Sequence, residues 1–503
     1  MFRKILIVNR GEIALRVMRT CREMGIQTVA VYSDADRTAP HVLFADEAYH
    51  LGPAPSNQSY LKQEKLLEVL KASGADAVHP GYGFLSENTA FAAAVIKAGA
   101  TFIGPPAPAI TLMGDKTAAR QQMIKAGVPV VPGTEEPIED VSEARRIAEK
   151  IGLPVLVKAA GGGGGKGMRL VHKASEFEKT VAQAQREAAS AFGDGRVYIE
   201  KYLEEPHHIE FQILADEHGH VIHLNERECS IQRRYQKVVE ESPSPFLTPE
   251  IREKMGQAAV EAARSCGYTN AGTVEFLVDK HRNFYFLEMN TRLQVEHPVT
   301  EMVTQIDLVA EQLKIACGEP LSLTQKDVRS TGHAIECRIY AEDARMDFAP
   351  STGVIQALFI PNGFGTRFDG AIQTGCEITP FYDPMLGKLV TWGNDRETAL
   401  DRMHRALSEF LVAGIETSIG FCDAVVQHPT FRSGQYDTHF YEMYKSDLLA
   451  TLNDLTPEAA RAAALTAAAH QLRQAANGRL ISKNKNKQPM NRWLQIRRGE
   501  QLQ

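Results

Sequence analysis

Phe286-Leu-Glu-Met-Asn-Thr-Arg-Leu-Gln-Val-Glu-His-Pro-Val-Thr300 is the stretch from which the rest of this chain is read. Strand side chains alternate between two faces. As a strand, the run points Glu288, Asn290, Arg292, Gln294 and Glu296 one way, and Leu287, Met289, Leu293 and Val295 the other way, into a core. A solvated face would carry a loose mix of Thr, Lys and Ser; this one carries acids, amides and a guanidinium in strict alternation. Upstream, Ala271-Gly-Thr-Val-Glu275-Phe-Leu-Val predicts a second strand, with a turn over Asp279 to Asn283. The resulting hairpin would bring Glu275 beside Glu288. Two carboxylates and an Asn oxygen are hard ligands of the kind Mg²⁺ accepts alongside nucleotide phosphates. The pattern predicts a Mg-nucleotide site with an anion-binding Arg and a spare carboxylate at one end. A sheet face merely laced with salt bridges would not call for so dense a pattern.

The chain around this stretch has 503 residues, enough for three or more domain-sized units. Apolar content of 44% and charged content of 23% are ordinary for a soluble globular protein. A net charge of −6 argues against a general nucleic-acid binder. No apolar run approaches the ~20 residues of a membrane span. The first strand begins near Lys4, which leaves no room for a signal peptide. Seven scattered cysteines without a CxxC pair predict reduced thiols in a cytoplasmic protein and no zinc site.

In chain order, Lys4 to Asn9, Gly11 to Gly25 and Gln27 to Tyr32 predict a βαβ unit. Asn9-Arg-Gly-Glu-Ile-Ala is not GxGxxG, so a dinucleotide site does not follow. A further unit has its strand at Ala75 to Val78 and the loop His79-Pro-Gly-Tyr-Gly-Phe-Leu-Ser86, the position where open α/β sheets bind ligands. A boundary is expected soon after Pro105-Pro-Ala-Pro. Strands at Leu153 to Lys158 and Met168 to Val171 flank five consecutive glycines, Gly161 to Gly165. Such a run is costly to order and suits a mobile lid whose N–H groups approach phosphate. It lacks the strand–loop–helix order and GK[ST] ending of a P-loop. Cys229 to Glu241 is dense in cations, so it either covers a surface or shares an anionic ligand with the acidic hairpin. Thr248 to Cys266 and a segment from about Thr300 to Cys317 are expected helices. The stretch from Gly332 to about Trp392 is β-rich, with Glu336 and Arg338 on one strand face, and helices follow at Arg396 to Leu411 and Ile419 to Val426. An Ala-rich helix from Thr456 and a basic tail from Arg479 suggest a disordered tail or a docking arm.

To about residue 446 the chain resembles biotin carboxylase, the ATP-grasp component of acetyl-CoA, propionyl-CoA and pyruvate carboxylases. The resemblance rests on Asn9-Arg-Gly-Glu-Ile-Ala-Leu-Arg16, His79-Pro-Gly-Tyr-Gly-Phe-Leu-Ser-Glu-Asn88 and Leu112-Met-Gly-Asp-Lys116. It rests further on Lys158 to Met168, Gln232-Arg-Arg, Gln236 to Glu241 and Glu288 to Glu301. It implies an α/β and α+β multidomain fold. An open parallel α/β (pre-ATP-grasp) domain would span 1–114, and an ATP-grasp domain 115–330, with its glycine-rich lid at about 131–203. A β-rich C-terminal domain would span 331–446, leaving 447–503 as a possible partner-docking arm.

The resemblance also implies roles. Lys116, Lys158 and His208 look like ATP-phosphate contacts under the glycine lid, with Gly164, Gly165 and Met168. Glu200, Lys201, Tyr202 and Leu203 resemble the hinge that holds adenine through backbone groups, joined by Gln232, Tyr235 and Leu277. Glu275, Glu288 and Asn290 look like the Mg²⁺ set (Mn²⁺ would also suit), and Lys237, Arg292, Gln294 and the Val295 backbone like the bicarbonate site. Glu296 would be the general base, while Arg338 would stabilise the biotin enolate near Tyr82 and Gly83. Tyr235 departs from the family's frequent His, a change that removes a titratable ring from the nucleotide rim.

No Met-Lys-Met occurs, so the biotin is expected on a separate biotin carboxyl carrier protein, and carboxyltransferase chains are the further partners. The expected setting is an acyl-CoA carboxylase of fatty acid biosynthesis, with a two-subunit pyruvate carboxylase as the alternative. A homodimer is implied, with Arg16 in the segment that resembles its interface. Two other readings are another ATP-grasp carboxylate–amine ligase, which needs no Tyr82 loop, Glu296 and Arg338 together, and a non-catalytic nucleotide-binding scaffold.

Overall fold

Parallel strands need crossover helices, and the N-terminal residues alternate accordingly. In the computed structural model, which describes residues 1–134, 136, 138–159, 168–192 and 195–452, five parallel strands form the first sheet. Their order is Glu47–Gly52, Gln27–Ser33, Lys4–Ile7, Ala77–His79, Thr101–Phe102. The chain reverses direction across the sheet between Lys4–Ile7 and Ala77–His79, and the crevice at such a switch point is where ligands bind. Asn9 spans that crevice by donating to the carbonyls of Pro80 and Tyr82, each at 2.7 Å.

A second sheet has eight strands, every neighbouring pair antiparallel. It runs Phe284–Asn290, Asn270–Val278, His207–Ala215, Val221–Arg233, Gln236–Ser242, His333–Tyr340, Met385–Gly393, Thr366–Gly370. One continuous sheet therefore joins the acidic hairpin to the β-rich stretch after Gly332. A third, three-stranded sheet pairs Val155–Ala159 with Met168–Val171 and Val197–Lys201, and shares a core with the helices Val141–Ile151 and Phe177–Phe192. Lys158 opposes Met168 across the place where the polyglycine run falls. That run, with Gly164 and Gly165, lies outside the described residues, as do the Ala-rich helix and basic tail.

The hairpin forms as read, with Glu275 directly opposite Glu288. Three other expectations are corrected. The strand stops at Asn290, because the Thr291 N–H turns to Glu87 at 3.1 Å instead of to a neighbouring strand. Glu296 already caps the helix His297–Thr304, so the stretch through Val295 is a bend, not a strand. Leu287 is an extra residue in a β-bulge, between the pairs Glu275–Glu288 and Phe276–Phe286. It consequently faces the cleft, 42% exposed, instead of the core that Met289 and Leu293 join. The helix expected from Thr300 to Cys317 is two, His297–Thr304 and Leu308–Ala316, separated at Gln305 with φ of 59°. Of the two readings of the cation-rich segment, the structure agrees with the one that sets it beside the acidic hairpin. The segment is a β-hairpin inside the large sheet, turning at Arg234 and Tyr235, both with positive φ.

Arg16 lies on the N-terminal helix, in the segment that resembles a dimer interface. It is 7% exposed and pairs within the chain, with Glu301 at 2.8 Å and Asp307 at 2.9 Å. It thereby fastens the helix Gly11–Glu23 to the helices that follow the bend.

Candidate active site

Lys237 is the centre of the site. Its ammonium reaches Glu210 at 2.5 Å, Glu296 at 2.6 Å and Glu275 at 3.0 Å. Burial alone would lower its pKa, but these three carboxylates outweigh burial and hold it firmly protonated. Beneath it, the fully buried Arg227 donates to Glu210 (2.5 Å), Gln212 (2.8 Å), Thr300 (3.0 Å), Thr273 (3.1 Å) and Gln294 (2.6 Å). Every donor of this guanidinium fork is aimed at an acceptor, so Arg227 fixes the floor of the site. Gln294 in turn donates to Glu275 at 2.6 Å.

Glu296 bridges two cations, Lys237 and Arg338, the latter at 2.9 Å. Burial would raise its carboxyl, but Lys237, Arg338 and Arg227 prevail and hold it far below the usual carboxylate range. Arg338 also donates to Glu240 at 2.5 Å.

At the other end, His208 is fixed on both ring nitrogens. Nε2 donates to Glu275 at 2.7 Å and Nδ1 accepts from Gln232 at 2.8 Å. Glu288 lies across the hairpin from Glu275, and its ion-pair partner among the described residues is Lys116, at 3.8 Å. Burial and the neighbouring Glu275 push the Glu288 carboxyl up. Glu288, with so little compensating charge, could hold a divalent cation together with Glu275 opposite it and the Asn290 side-chain oxygen. That oxygen accepts from Arg292 at 2.9 Å. Lys158 pairs with Glu200. The N–H groups of Lys201 and Tyr202 are used by the carbonyls of Pro132 (2.7 Å) and Pro154 (3.1 Å). The Leu203 N–H finds no acceptor among the described residues, which narrows the expected hinge to that donor and the neighbouring carbonyls.

One cleft of about 790 Å³ gathers these groups: Lys116, Lys158, Glu200, Lys201, Tyr202, Leu203, His208, Gln232, Tyr235, Lys237, Glu275, Leu277, Glu288, Asn290, Arg292, Gln294, Val295, Glu296 and Arg338. Tyr235 sits at its rim, 79% exposed. Met168 heads a strand beside Lys158. Tyr82 and Gly83 belong instead to a second cavity of about 540 Å³ at the switch point of the parallel sheet. Gln236, Arg292, Val295 and Arg338 line both cavities and form the wall between them.

Sequence reading missed Glu210, Arg227, Glu87 and Glu240. Glu87 accepts from Thr291 and from Arg292 Nε, at 3.0 Å for the latter, and so ties the Tyr82 loop to the bend. Alternation on strand Val221–Arg233 gave no signal for Arg227, because a β-bulge after His223 shifts its register. Glu210 does share a face with His208 and Gln212 on its strand and could have been found that way.

The chain is similar to known proteins over most of its length. Residues 1–110 match the family described as biotin carboxylase, N-terminal domain, and residues 336–443 the biotin carboxylase C-terminal domain. Residues 115–324 match the carbamoyl-phosphate synthase L chain, ATP binding domain. The chain is 55% identical over 459 residues to a pyruvate carboxylase subunit of Methanothermobacter thermautotrophicus, covering 91% of this chain and 93% of that protein. It is 54% identical over 445 residues to biotin carboxylase 1 of Bacillus subtilis, covering 88% and 99%. The biotin carboxylase domain of Hydrogenobacter thermophilus 2-oxoglutarate carboxylase, solved with MgADP and bicarbonate, superimposes with a TM-score of 0.81 at 49% identity, covering 89% and 99%. Three matched domains in order and relatives aligned over nearly their whole length place this chain in the biotin carboxylase family, whose members are ATP-dependent ligases.

Proposed function

We propose that this chain uses ATP and bicarbonate to carboxylate biotin carried on a separate protein, with carboxyphosphate as intermediate. The observation that carries the reading is Glu296, in the larger cleft and clamped between Lys237 and Arg338, the latter of which lines both cavities. ATP would lie in the larger cleft, its phosphates toward Lys116, Lys158 and His208. Mg²⁺ held by Glu275, Glu288 and Asn290 would neutralise phosphate charge. Bicarbonate would lie against Lys237, Arg292 and the Val295 backbone, within reach of Glu296.

Held between two cations, Glu296 is a weak base. Bicarbonate drawing on Lys237, and the biotin ureido oxygen drawing on Arg338, would each remove a stabilising charge and raise its basicity. Glu296 then takes the bicarbonate proton, and a bicarbonate oxygen attacks the γ-phosphorus, releasing ADP. Carboxyphosphate breaks its C–O bond to give CO₂ and phosphate. Phosphate accepts the ureido N–H proton, Arg338 balances the enolate oxygen, and nitrogen attacks CO₂.

The test is ATP hydrolysis that requires bicarbonate and is stimulated by free biotin. Glu296→Ala should lower it by about 10²- to 10⁴-fold, the range for a general base. Hydrolysis indifferent to bicarbonate and biotin would favour a carboxylate–amine ligase, and unchanged turnover in Glu296→Ala a non-catalytic scaffold. Among relatives, the names divide between pyruvate, 2-oxoglutarate and propionyl-CoA carboxylases. The acceptor is accordingly set by the transferase chain, an acyl-CoA in the first reading. Pyruvate is the second reading, since relatives of 54–55% identity include a pyruvate carboxylase subunit as well as biotin carboxylases. Affinity capture of the biotinylated carrier and its transferase separates the two. Removing residues 447–503 and measuring that capture tests them as a docking arm.

A further inference from the structure

Lys388 lies on the strand Met385–Gly393, is fully buried, and takes no part in the chemistry above. Its ammonium donates to the Val295 carbonyl at 2.9 Å. Its carboxylate partner, Glu12 of the N-terminal helix, is farther away at 3.3 Å, and the Glu12 oxygens have no hydrogen-bond partner among the described residues. A lysine serving only to neutralise a buried acid would sit on that acid. This one sits on a backbone carbonyl in the middle of the bend.

The preceding peptide unit is fixed by another fully buried donor: His297 Nδ1–H donates to the Gln294 carbonyl at 2.8 Å. In a trans peptide the C=O and the following N–H point in opposite directions. With both carbonyls held inward, the N–H groups of Val295 and Glu296 point outward, toward the cleft that Val295 lines. Neither N–H has an acceptor among the described residues. Two successive N–H groups aimed one way form an anion-binding nest.

We propose that Lys388 is a positioning residue for bicarbonate: by holding the Val295 carbonyl it keeps the bend's N–H groups turned toward the anion. The inference rests on the biotin carboxylase reading. Lys388 is also the cross-strand neighbour of Arg338, so the same strand sets both the anion nest and the arginine of the second cavity. Through Glu12 the contact involves all three domain-sized regions of the chain.

The experiment measures bicarbonate-dependent ATP hydrolysis in the full-length protein. Lys388→Met keeps the length of the side chain and removes the donor. It should raise the KM for bicarbonate about tenfold or more, the loss of one charge-assisted hydrogen bond, and leave the KM for ATP within about twofold. Lys388→Met with Glu12→Leu removes the stranded carboxylate as well. This double variant should recover the wild-type Tm while its bicarbonate KM stays raised, and it carries the test if Lys388→Met fails to fold. Lys388→Arg, which still donates, should recover part of the bicarbonate affinity. The proposal is overturned if the bicarbonate KM stays within about twofold of wild type in a folded variant lacking the donor, or if the double variant restores KM together with Tm. Absence of bicarbonate-dependent hydrolysis in the wild type would instead overturn the functional reading.

Discussion

Lys237 sets one ammonium against three buried carboxylates, Glu210, Glu275 and Glu296. Removing it takes the shared cation from all three, although Arg227, His208 and Arg338 stay on one each, and breaking a buried pair costs about 3–5 kcal/mol. Lys237→Gln should therefore lose stability on that scale in urea denaturation, as well as activity. Normal stability with lost activity would show that the carboxylates are compensated elsewhere. Residue identity was the most legible level of the site. Glu275, Glu288, Lys237 and Glu296 were singled out from alternation and family motifs, and all lie in one cleft. Arg227 was not, although it is fully buried and makes five hydrogen bonds. A buried arginine on an irregular strand reads in sequence as an exposed one until its acceptors, supplied by four other segments, are known.

At the scale of elements, the strand Gln236–Ser242 links the site to the C-terminal helices. Its residue Glu241 accepts from His333 (2.5 Å), Arg396 (2.7 and 3.0 Å) and Tyr436. Burial would raise this carboxyl, but Arg396 and the His333 hydrogen bond outweigh burial and bring it from 4.5 down to about 2. A depressed carboxylate adds stability that is complete above its unfolded value and is lost as pH falls through the folded one. The contribution is about 3 kcal/mol, lost between about pH 4.5 and 2. Glu241→Gln should lower Tm at neutral pH and flatten its fall in that acid window, as thermal melts against pH would show. An equally steep acid limb in the variant would assign it to other groups. Hairpin pairing was legible at this scale because a five-residue turn and two apolar runs fix it. The bulge at Leu287 and the turn at Thr291 were not, since both depend on partners from elsewhere: the register with Asn270–Val278 and the carboxylate of Glu87.

Across the whole molecule, the N-terminal region, the large sheet and the bend are fastened by buried ion pairs. Arg16 joins Glu301 and Asp307, and Arg367 joins Glu301 at 2.8 Å and Asp369 at 2.6 Å. Arg16→Met would leave Glu301 and Asp307 with less positive charge, and a loss of about 3 kcal/mol is expected. Size-exclusion of the same variant separates this internal role from an interface role: an unchanged oligomeric state with lowered Tm supports the former. By itself the sequence determined most of the secondary elements, the acidic hairpin and much of the chemical inventory, because strand alternation and motif spacing are local properties of the chain. Only the tertiary structure decided that a bend, not a strand, carries Arg292, Gln294 and Glu296, and that Gln236, Arg292, Val295 and Arg338 divide two chambers. Those outcomes depend on which distant groups, Glu87, Arg227 and Lys388 among them, reach the same few ångströms, and local spacing carries no record of that.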